Sequence, residues 1–202
     1  MRSWGREGRQ KSPLRRKKSE YLPFPALPAR RAMKHLLAVL LLVTFSATAA
    51  TPEDFTVRAA AGKGSFTLKE ARGKFVAIHF LLKTECPLCL KHTRDYFTKA
   101  PTLPNAVQLF LKPDSDNEIE AWAAKLPAED LAKNPIYRDP YAKLAKAFDI
   151  PDGYKFHGQV VHYPATVLIG PDGKEVFRHV GKSNSDRLSF EALAAKVAEL
   201  SK

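Results

Sequence analysis

The sequence feature that most constrains the fold is a pair of cysteines placed shortly after a long apolar run. Residues 75–82 read Phe-Val-Ala-Ile-His-Phe-Leu-Leu, which has the length and character of a strand buried on both faces. Residues 86–89 (Cys-Pro-Leu-Cys) follow and open a helical pattern over residues 87–99, with proline in the first turn, where its missing N–H is no loss. The sequence therefore predicts a central strand that leads into a helix with both cysteines at its amino end.

Sulfur chemistry is expected at this junction. A thiol at a helix amino terminus lies beside unpaired N–H groups and the positive end of the helix dipole, which favour the thiolate. Cys86 is the expected nucleophile, and Cys89, one turn along, has the spacing to attack a mixed disulfide formed on Cys86. Lys83 would favour the thiolate and Glu85 would oppose it. His79, in the strand, is either a proton relay to Cys89 or a hydrogen-bonded core histidine.

The rest of the chain alternates between strand-like and helix-like segments. Apolar patterns predict strands at residues 107–111, 136–137, 164–169 and 174–180, and helices at residues 117–125, 141–148 and around residues 193–200. Residues 171–173 (Pro-Asp-Gly) have the chemistry of a hairpin turn between the last two strands. These elements predict an α/β fold with a central mixed sheet flanked by helices.

The apolar strand, the C-x-x-C helix start and the proline before a late hairpin resemble the thioredoxin-like superfamily over residues 53–202. The resemblance implies that Pro164 is a cis-proline facing the cysteine pair and that the backbone of Tyr163 helps to bind substrate. Cys89 and Pro164 are 75 positions apart, which implies an extra helix-strand insertion. In this respect the chain is similar to the exported thiol-disulfide reductases of the TlpA and ResA type or to the AhpC/TSA-like redoxins.

The resemblance implies thiol-disulfide exchange with protein or small-thiol substrates and with an upstream thiol electron donor or acceptor. No prosthetic cofactor or metal is implied for that activity. Residues 149–163, rich in aromatic side chains, lead into Pro164 and either shape a substrate groove or form an ordinary loop.

Three other functions are compatible with the sequence. A peroxiredoxin-like thiol peroxidase shares the fold, but its usual Thr or Ser three residues before the reactive cysteine is replaced by Lys83 before Cys86. Copper(I) handling by the cysteines with His92 or His162 is a second alternative, because soft thiolates select that ion. A purely structural disulfide is a third.

The leader carries most of the net charge of +12. Residues 1–50 hold 11 basic and 2 acidic residues, whereas residues 51–202 hold 22 and 19, so nucleic acid is not an expected partner. Residues 33–50 have the charged start, apolar centre and small-residue end of a secretory signal peptide, too short to span a bilayer. Residues 1–32 are either a disordered basic leader or a mis-assigned start. We expect cleavage near Ala49 or Ala50 and a periplasmic domain over residues 51–202, tethered to the membrane if the signal stays uncleaved.

Overall fold

The computed structural model describes residues 54–83, 86–156 and 159–202. The expected leader at residues 1–32, the signal segment at residues 33–50 and Glu85 lie outside these residues. Within them, no helix has the length and apolar character needed to cross a membrane.

Nine strands occur in the described residues. They are β1 (Thr56–Ala61), β2 (Ser65–Thr67), β3 (Phe75–Phe80), β4 (Ala106–Lys112), β5 (Ile136–Arg138), β6 (Asp152–Phe156), β7 (Gln159–His162), β8 (Ala165–Ile169) and β9 (Glu175–Val180). The same residues contain five α-helices and three short 3-10 turns. The helices are α1 (Pro87–Lys99), α2 (Asp116–Ala123), α3 (Ala128–Lys133), α4 (Lys143–Ala147) and α5 (Phe190–Leu200), and the turns are Leu68–Ala71, Ala100–Thr102 and Pro140–Ala142.

Seven strands form one mixed sheet in the order β2-β1-β5-β4-β3-β8-β9, and β6 and β7 form a separate two-stranded sheet. Strands β3, β4 and β5 run parallel, and β8 lies antiparallel to β3 on its other side. Strand β3 is central and every one of its residues is buried, which explains its continuous apolar sequence. The carboxyl ends of β3, β4 and β5 therefore meet at one edge of the sheet, where α1 begins.

Two apolar clusters cover the two faces of the sheet. On one face α1, α2 and α5 pack against the strands through residues such as Tyr96, Trp122 and Leu193. On the other face α4 and the 3-10 turn Leu68–Ala71 pack against the sheet, with Leu68 and Phe148 fully buried there. The fold is thus a mixed sheet between two helical layers, as the sequence predicts.

The predicted strands and helices are present, with their ends displaced by up to three residues. Helix α1 has the predicted bounds, while the central strand ends at Phe80, earlier than the apolar run. Strands β1 and β2 and helix α3 were not predicted. Strand β1 is rich in alanine, a weak strand former, and it is held by antiparallel pairing with β2 and β5 on either side.

Candidate active site

The two cysteines form a disulfide at the amino end of α1. Cys86 caps the helix: its backbone is extended, Pro87 follows in the first turn, and its sulfur accepts a hydrogen bond from the N–H of Cys89 at 3.0 Å. The two Cα atoms are 5.1 Å apart, an ordinary separation for a disulfide. Cys89 is fully buried and Cys86 is 9% exposed, so Cys86 is the cysteine that reaches the surface.

A guanidinium group lies against both sulfurs. Nη2 of Arg187 is 3.4 Å from Sγ of Cys86 and 3.3 Å from Sγ of Cys89. Burial lowers the pKa of Arg187 to about 10, and Tyr154 acts in the opposite direction, so the side chain is charged at neutral pH. A cation at this distance favours a thiolate on either sulfur, in addition to the effect of the helix terminus.

The loop that carries Arg187 is held on both sides of this residue. Asp186 accepts a hydrogen bond from Nε2 of His179 on β9 at 3.0 Å. The carbonyl of Leu188 accepts one from the hydroxyl of Tyr96 on α1 at 3.1 Å. Because one anchor is on the sheet and the other is on the cysteine-bearing helix, the guanidinium is fixed relative to the disulfide.

His79 has the contacts of a core histidine. It lies between Phe110 and Thr166 in the register of the sheet, and its ring stacks on Phe110 with centroids 4.6 Å apart. Nδ1 is 3.2 Å from Oγ1 of Thr166, and Nε2 is 3.0 Å from Oε1 of Gln108. Burial lowers the pKa of His79 to about 4, with Gln108 opposing the shift and Arg187 adding to it, so the ring is neutral at neutral pH.

His92, on α1, joins this polar cluster. Its Nε2 is 3.4 Å from Nδ1 of His79, and burial, His79 and Arg187 all lower its pKa. A cavity of about 10 Å³, close to the size of one water molecule, is lined by His79, His92, Arg187 and Pro164, among others. Several polar groups, including the guanidinium that contacts the disulfide, therefore surround one small space.

Pro164 reaches the same edge of the sheet. It directly precedes β8, its carbonyl accepts a hydrogen bond from the N–H of Gly181 at 2.8 Å, and it shares the small cavity with Arg187. The Tyr163–Pro164 bond is trans, as are all described peptide bonds, so the implied cis-proline is wrong. The trans form of such a bond is favoured by about 0.5–1 kcal/mol unless its surroundings impose the other form. The backbone of Tyr163, which the resemblance implies in substrate binding, makes a hydrogen bond within the protein: its carbonyl accepts from Nδ1 of His162 at 2.7 Å.

Residues 149–163 are not simply a loop, because β6 and β7 form an antiparallel hairpin there. The hairpin pairs only with itself, and Gly153 interrupts the strand pattern of its first half, which is why periodicity does not reveal it. Val161 belongs to the same apolar cluster as the two cysteines, and Tyr154 packs against that cluster. The hairpin thus borders the active-site edge of the sheet.

Lys83 faces a second, larger cavity of about 460 Å³ at this edge, together with Glu118 and His162. The hydrogen bonds that Glu118 makes with Ser115 are the main cause that lowers the pKa of Glu118, and the charge of Lys83 lowers it further. Of the two charged residues expected to tune Cys86, Lys83 is therefore placed beside a cavity, and Glu85 lies outside the described residues.

The two histidines considered for copper(I) binding make other contacts. His92 packs against Tyr96 with ring centroids 4.5 Å apart, and His162 bonds the Tyr163 carbonyl. Within residues 54–83, 86–156 and 159–202, no group of three or more His, Cys, Asp or Glu side chains is arranged to hold a metal ion.

The sequence pattern described as the AhpC/TSA family matches residues 48–176, which is more than half of the chain and includes both cysteines. The chain belongs to the AhpC/TSA family. Members of the AhpC/TSA family are thiol-dependent oxidoreductases, so this chain is an oxidoreductase that works through thiols. No curated protein matches the sequence.

Solved structures support the thioredoxin-like fold of this AhpC/TSA protein. A cysteine-to-serine mutant of PrxQ from Xylella fastidiosa is 20% identical, with a TM-score of 0.60 over 73% of this chain and 90% of that one. The reduced 2-Cys peroxiredoxin of Plasmodium vivax is 20% identical, with a TM-score of 0.60 over 73% and 92%. The exposed lipoprotein thioredoxin Etrx1 of Streptococcus pneumoniae strain TIGR4 is 21% identical, with a TM-score of 0.57 over 72% and 98%.

Arg187 is the site residue of this AhpC/TSA protein that the sequence did not indicate. It lies 98 positions after Cys89, in a loop with no motif around it. The sequence does not indicate the two flanking anchors either. Asp186 bonds His179 through its side chain, and Leu188 bonds Tyr96 through its backbone carbonyl, a group that every residue has.

Proposed function

We propose that this AhpC/TSA protein catalyses thiol-disulfide exchange through Cys86 and Cys89. The observation that carries the proposal is a disulfide at a helix amino terminus with a charged guanidinium on both sulfurs and with Cys86 nearer the surface. A nucleophile that lies nearer the surface than its fully buried partner suits a reaction in which the substrate meets Cys86 first and Cys89 acts from within the protein.

In the reduced protein, the Cys86 thiolate attacks a sulfur of the substrate disulfide. A bond forms between that sulfur and Cys86, and the other substrate sulfur leaves as a thiolate that takes up a proton. Cys89 then loses its proton and attacks Sγ of Cys86, which releases the second substrate thiol. The substrate has gained two electrons and two protons, and the protein ends as the Cys86–Cys89 disulfide.

Three groups assist this reaction in the proposal. Arg187 stabilises the thiolate on whichever sulfur carries the charge, since it contacts both. Pro164, which lines the small cavity with Arg187, and the backbone of Tyr163 bind the substrate chain. An upstream thiol donor or acceptor resets the protein for the next turnover.

The direct test is trapping with a Cys89→Ser variant. We expect mixed disulfides on Cys86 to accumulate with substrate, because the resolving thiol is missing, and to be detected by mass spectrometry under non-reducing conditions. Cys86→Ser is the matched control and should trap nothing. A Cys89→Ser protein that forms no adduct with any protein or small disulfide at neutral pH would contradict the proposal.

Peroxide reduction is a second candidate, supported by the AhpC/TSA family match and by the fold shared with peroxiredoxins. Here the Cys86 thiolate attacks one peroxide oxygen, the O–O bond breaks, and an alcohol or water leaves. The resulting sulfenic acid is resolved by Cys89 with loss of water. Rapid hydroperoxide consumption that depends on Cys86 and on a thiol donor would favour this activity over disulfide exchange.

We also propose that the protein is exported to the periplasm and cleaved near residue 49. The family match begins at residue 48, where the signal-like segment ends, and disulfides persist in that compartment. Amino-terminal sequencing of the protein from a periplasmic fraction tests this. A start at residue 1 or 33 in the mature protein would contradict cleavage.

A further inference from the structure

The larger cavity lies at the carboxyl ends of the parallel strands, the edge of the sheet at which α1 begins. It is lined by residues that follow these strands: Lys83 after β3, Ser115 after β4 and Tyr141 after β5. The β6–β7 hairpin contributes Val160 to its wall. Ligands of open α/β sheets bind at this edge, and about 460 Å³ is within the range of small-ligand and side-chain pockets.

The floor and rim of this cavity differ in character. Ala145, Ile150 and Val161 form a buried apolar floor. On the rim, Tyr141 is 80% exposed and Val160 is 56% exposed, the two highest values among the large apolar side chains of the described residues. Two strongly exposed apolar groups at the mouth of a pocket with an apolar floor indicate a surface that is covered when a partner binds.

The backbone at the rim is also unusual. Tyr141 and Ala142 both have positive φ, 58° and 53°, a conformation that residues with a Cβ rarely adopt. Such backbone persists where the surrounding structure imposes it, and it is found disproportionately at binding sites. Here it holds the Tyr141 ring outward at the mouth of the cavity.

The charges around the cavity decide which occupant fits. Acidic and basic side chains both line it, including Lys83, Glu118, Arg138, Lys146 and Asp152. The side chains of Lys146 and Asp152 are exposed and make no hydrogen bond or ion pair within the described part of the chain. A hydrocarbon chain would desolvate these groups and return no hydrogen bonds. A polypeptide supplies an apolar side chain for the floor and N–H, C=O and charged groups for the rim.

We propose that this cavity binds an apolar side chain of an extended polypeptide substrate, close to the substrate's reactive cysteine. The inference rests on the proposed disulfide exchange and adds the substrate class: polypeptides with an apolar residue near the disulfide. Lys83 lines the cavity three positions before Cys86, and His162 lines it two positions before Pro164. Two residues of the cavity wall are thus within three positions of Cys86 or Pro164 along the chain, so the proposal has one peptide contact both the cavity and Cys86.

The test uses two synthetic peptides that differ only in a leucine or a serine two residues from a cysteine. Each cysteine carries a 2-nitro-5-thiobenzoate mixed disulfide, whose release is followed by absorbance. With the reduced protein we expect kcat/KM about tenfold higher for the leucine peptide, the effect of burying much of one aliphatic side chain. Val160→Asp and Tyr141→Ser should each remove most of this preference. Val176→Asp, at an exposed valine on β9, is the matched control and should keep it.

A small chromogenic disulfide distinguishes a loss of the exchange activity from a loss of peptide binding in the cavity. If neither it nor the peptides are reduced, the proposed exchange activity fails. If it is reduced equally by all variants and the leucine peptide has no advantage, the exchange activity stands and the peptide pocket is refuted. A Val160-dependent preference for long-chain over short-chain alkyl hydroperoxides, with no peptide preference, would assign the cavity to a hydrocarbon chain and overturn the proposal.

Discussion

Removal of the Arg187 charge should shift the ionisation of the active-site thiol. We consider Arg187→Met, which keeps a long side chain over the sulfurs and removes the cation. At the observed 3.4 Å between Nη2 and Sγ of Cys86, Coulomb's law gives roughly 1 kcal/mol in a water-like medium and roughly 5 kcal/mol at an effective dielectric constant of about 20. Arg187 is half-buried, and its charge is spread over three nitrogens, so the effect lies between these limits.

We therefore expect the thiolate titration of the reduced protein to move up by about 1–2 pH units, since each unit corresponds to about 1.4 kcal/mol. The thiolate is followed by its ultraviolet absorbance, and the rate of alkylation by iodoacetamide gives an independent measurement. Below the titration midpoint, alkylation at a fixed pH should slow by about 10- to 100-fold, in proportion to the thiolate fraction.

Two control variants make this experiment decisive. Arg187→Lys keeps a cation and should show a smaller shift than Arg187→Met. Arg94→Met removes a cation from the exposed face of α1, where Arg94 bonds the Lys125 carbonyl away from the sulfurs, and should show almost none. Equal titration curves for Arg187→Met and the unaltered protein would refute the electrostatic role of Arg187.

The remaining predictions concern the groups behind the disulfide and stability. His79 has a pKa of about 4 in the folded protein and about 6.5 when unfolded, so only the unfolded chain takes up its proton between these values. The free energy of unfolding should therefore fall by up to about 3 kcal/mol from pH 6.5 to 4. For His79→Phe, urea unfolding should show a smaller decrease in the free energy of unfolding over this pH range. The same pH dependence in the variant and the unaltered protein would contradict the lowered pKa of His79. Lys112 is fully buried, with Nζ 2.8 Å from the Leu82 carbonyl and 3.1 Å from Asp114, so Lys112→Met should lower the free energy of unfolding by roughly 3–5 kcal/mol. Lys196→Met, at a surface ion pair with Glu199, should lower the free energy of unfolding by less than about 1 kcal/mol. Equal decreases in the two variants would show that the buried pair stabilises the fold no more than the surface pair.

Local patterns in the sequence were sufficient for the elements whose environment is uniform. A strand buried on both faces is apolar at every position, and residues 75–80 show this directly. A helix that begins with a capping cysteine and a proline carries its start in the sequence, and α1 has the predicted bounds. These two elements were enough to place both cysteines at one helix terminus.

Elements stabilised mainly by their partners were harder to predict. Strand β1 depends on pairing with β2 and β5, and the β6–β7 hairpin depends on packing beside the cysteine pair. The trans bond before Pro164 also departs from what the family resemblance implies. In each case the local sequence is compatible with more than one conformation, and long-range contacts select among them.

The amino-acid order fixes which sulfur caps the helix and which lies one turn further in, because both depend on spacing within a single turn. It leaves open which cation approaches these sulfurs. Lys83 is near in sequence but faces a cavity, and Arg187 arrives from 98 positions beyond Cys89 because Tyr96 and His179 hold the two sides of its loop. Spacing along a helix is a property of the local chain, whereas the approach of a distant side chain depends on how the sheet and helices pack.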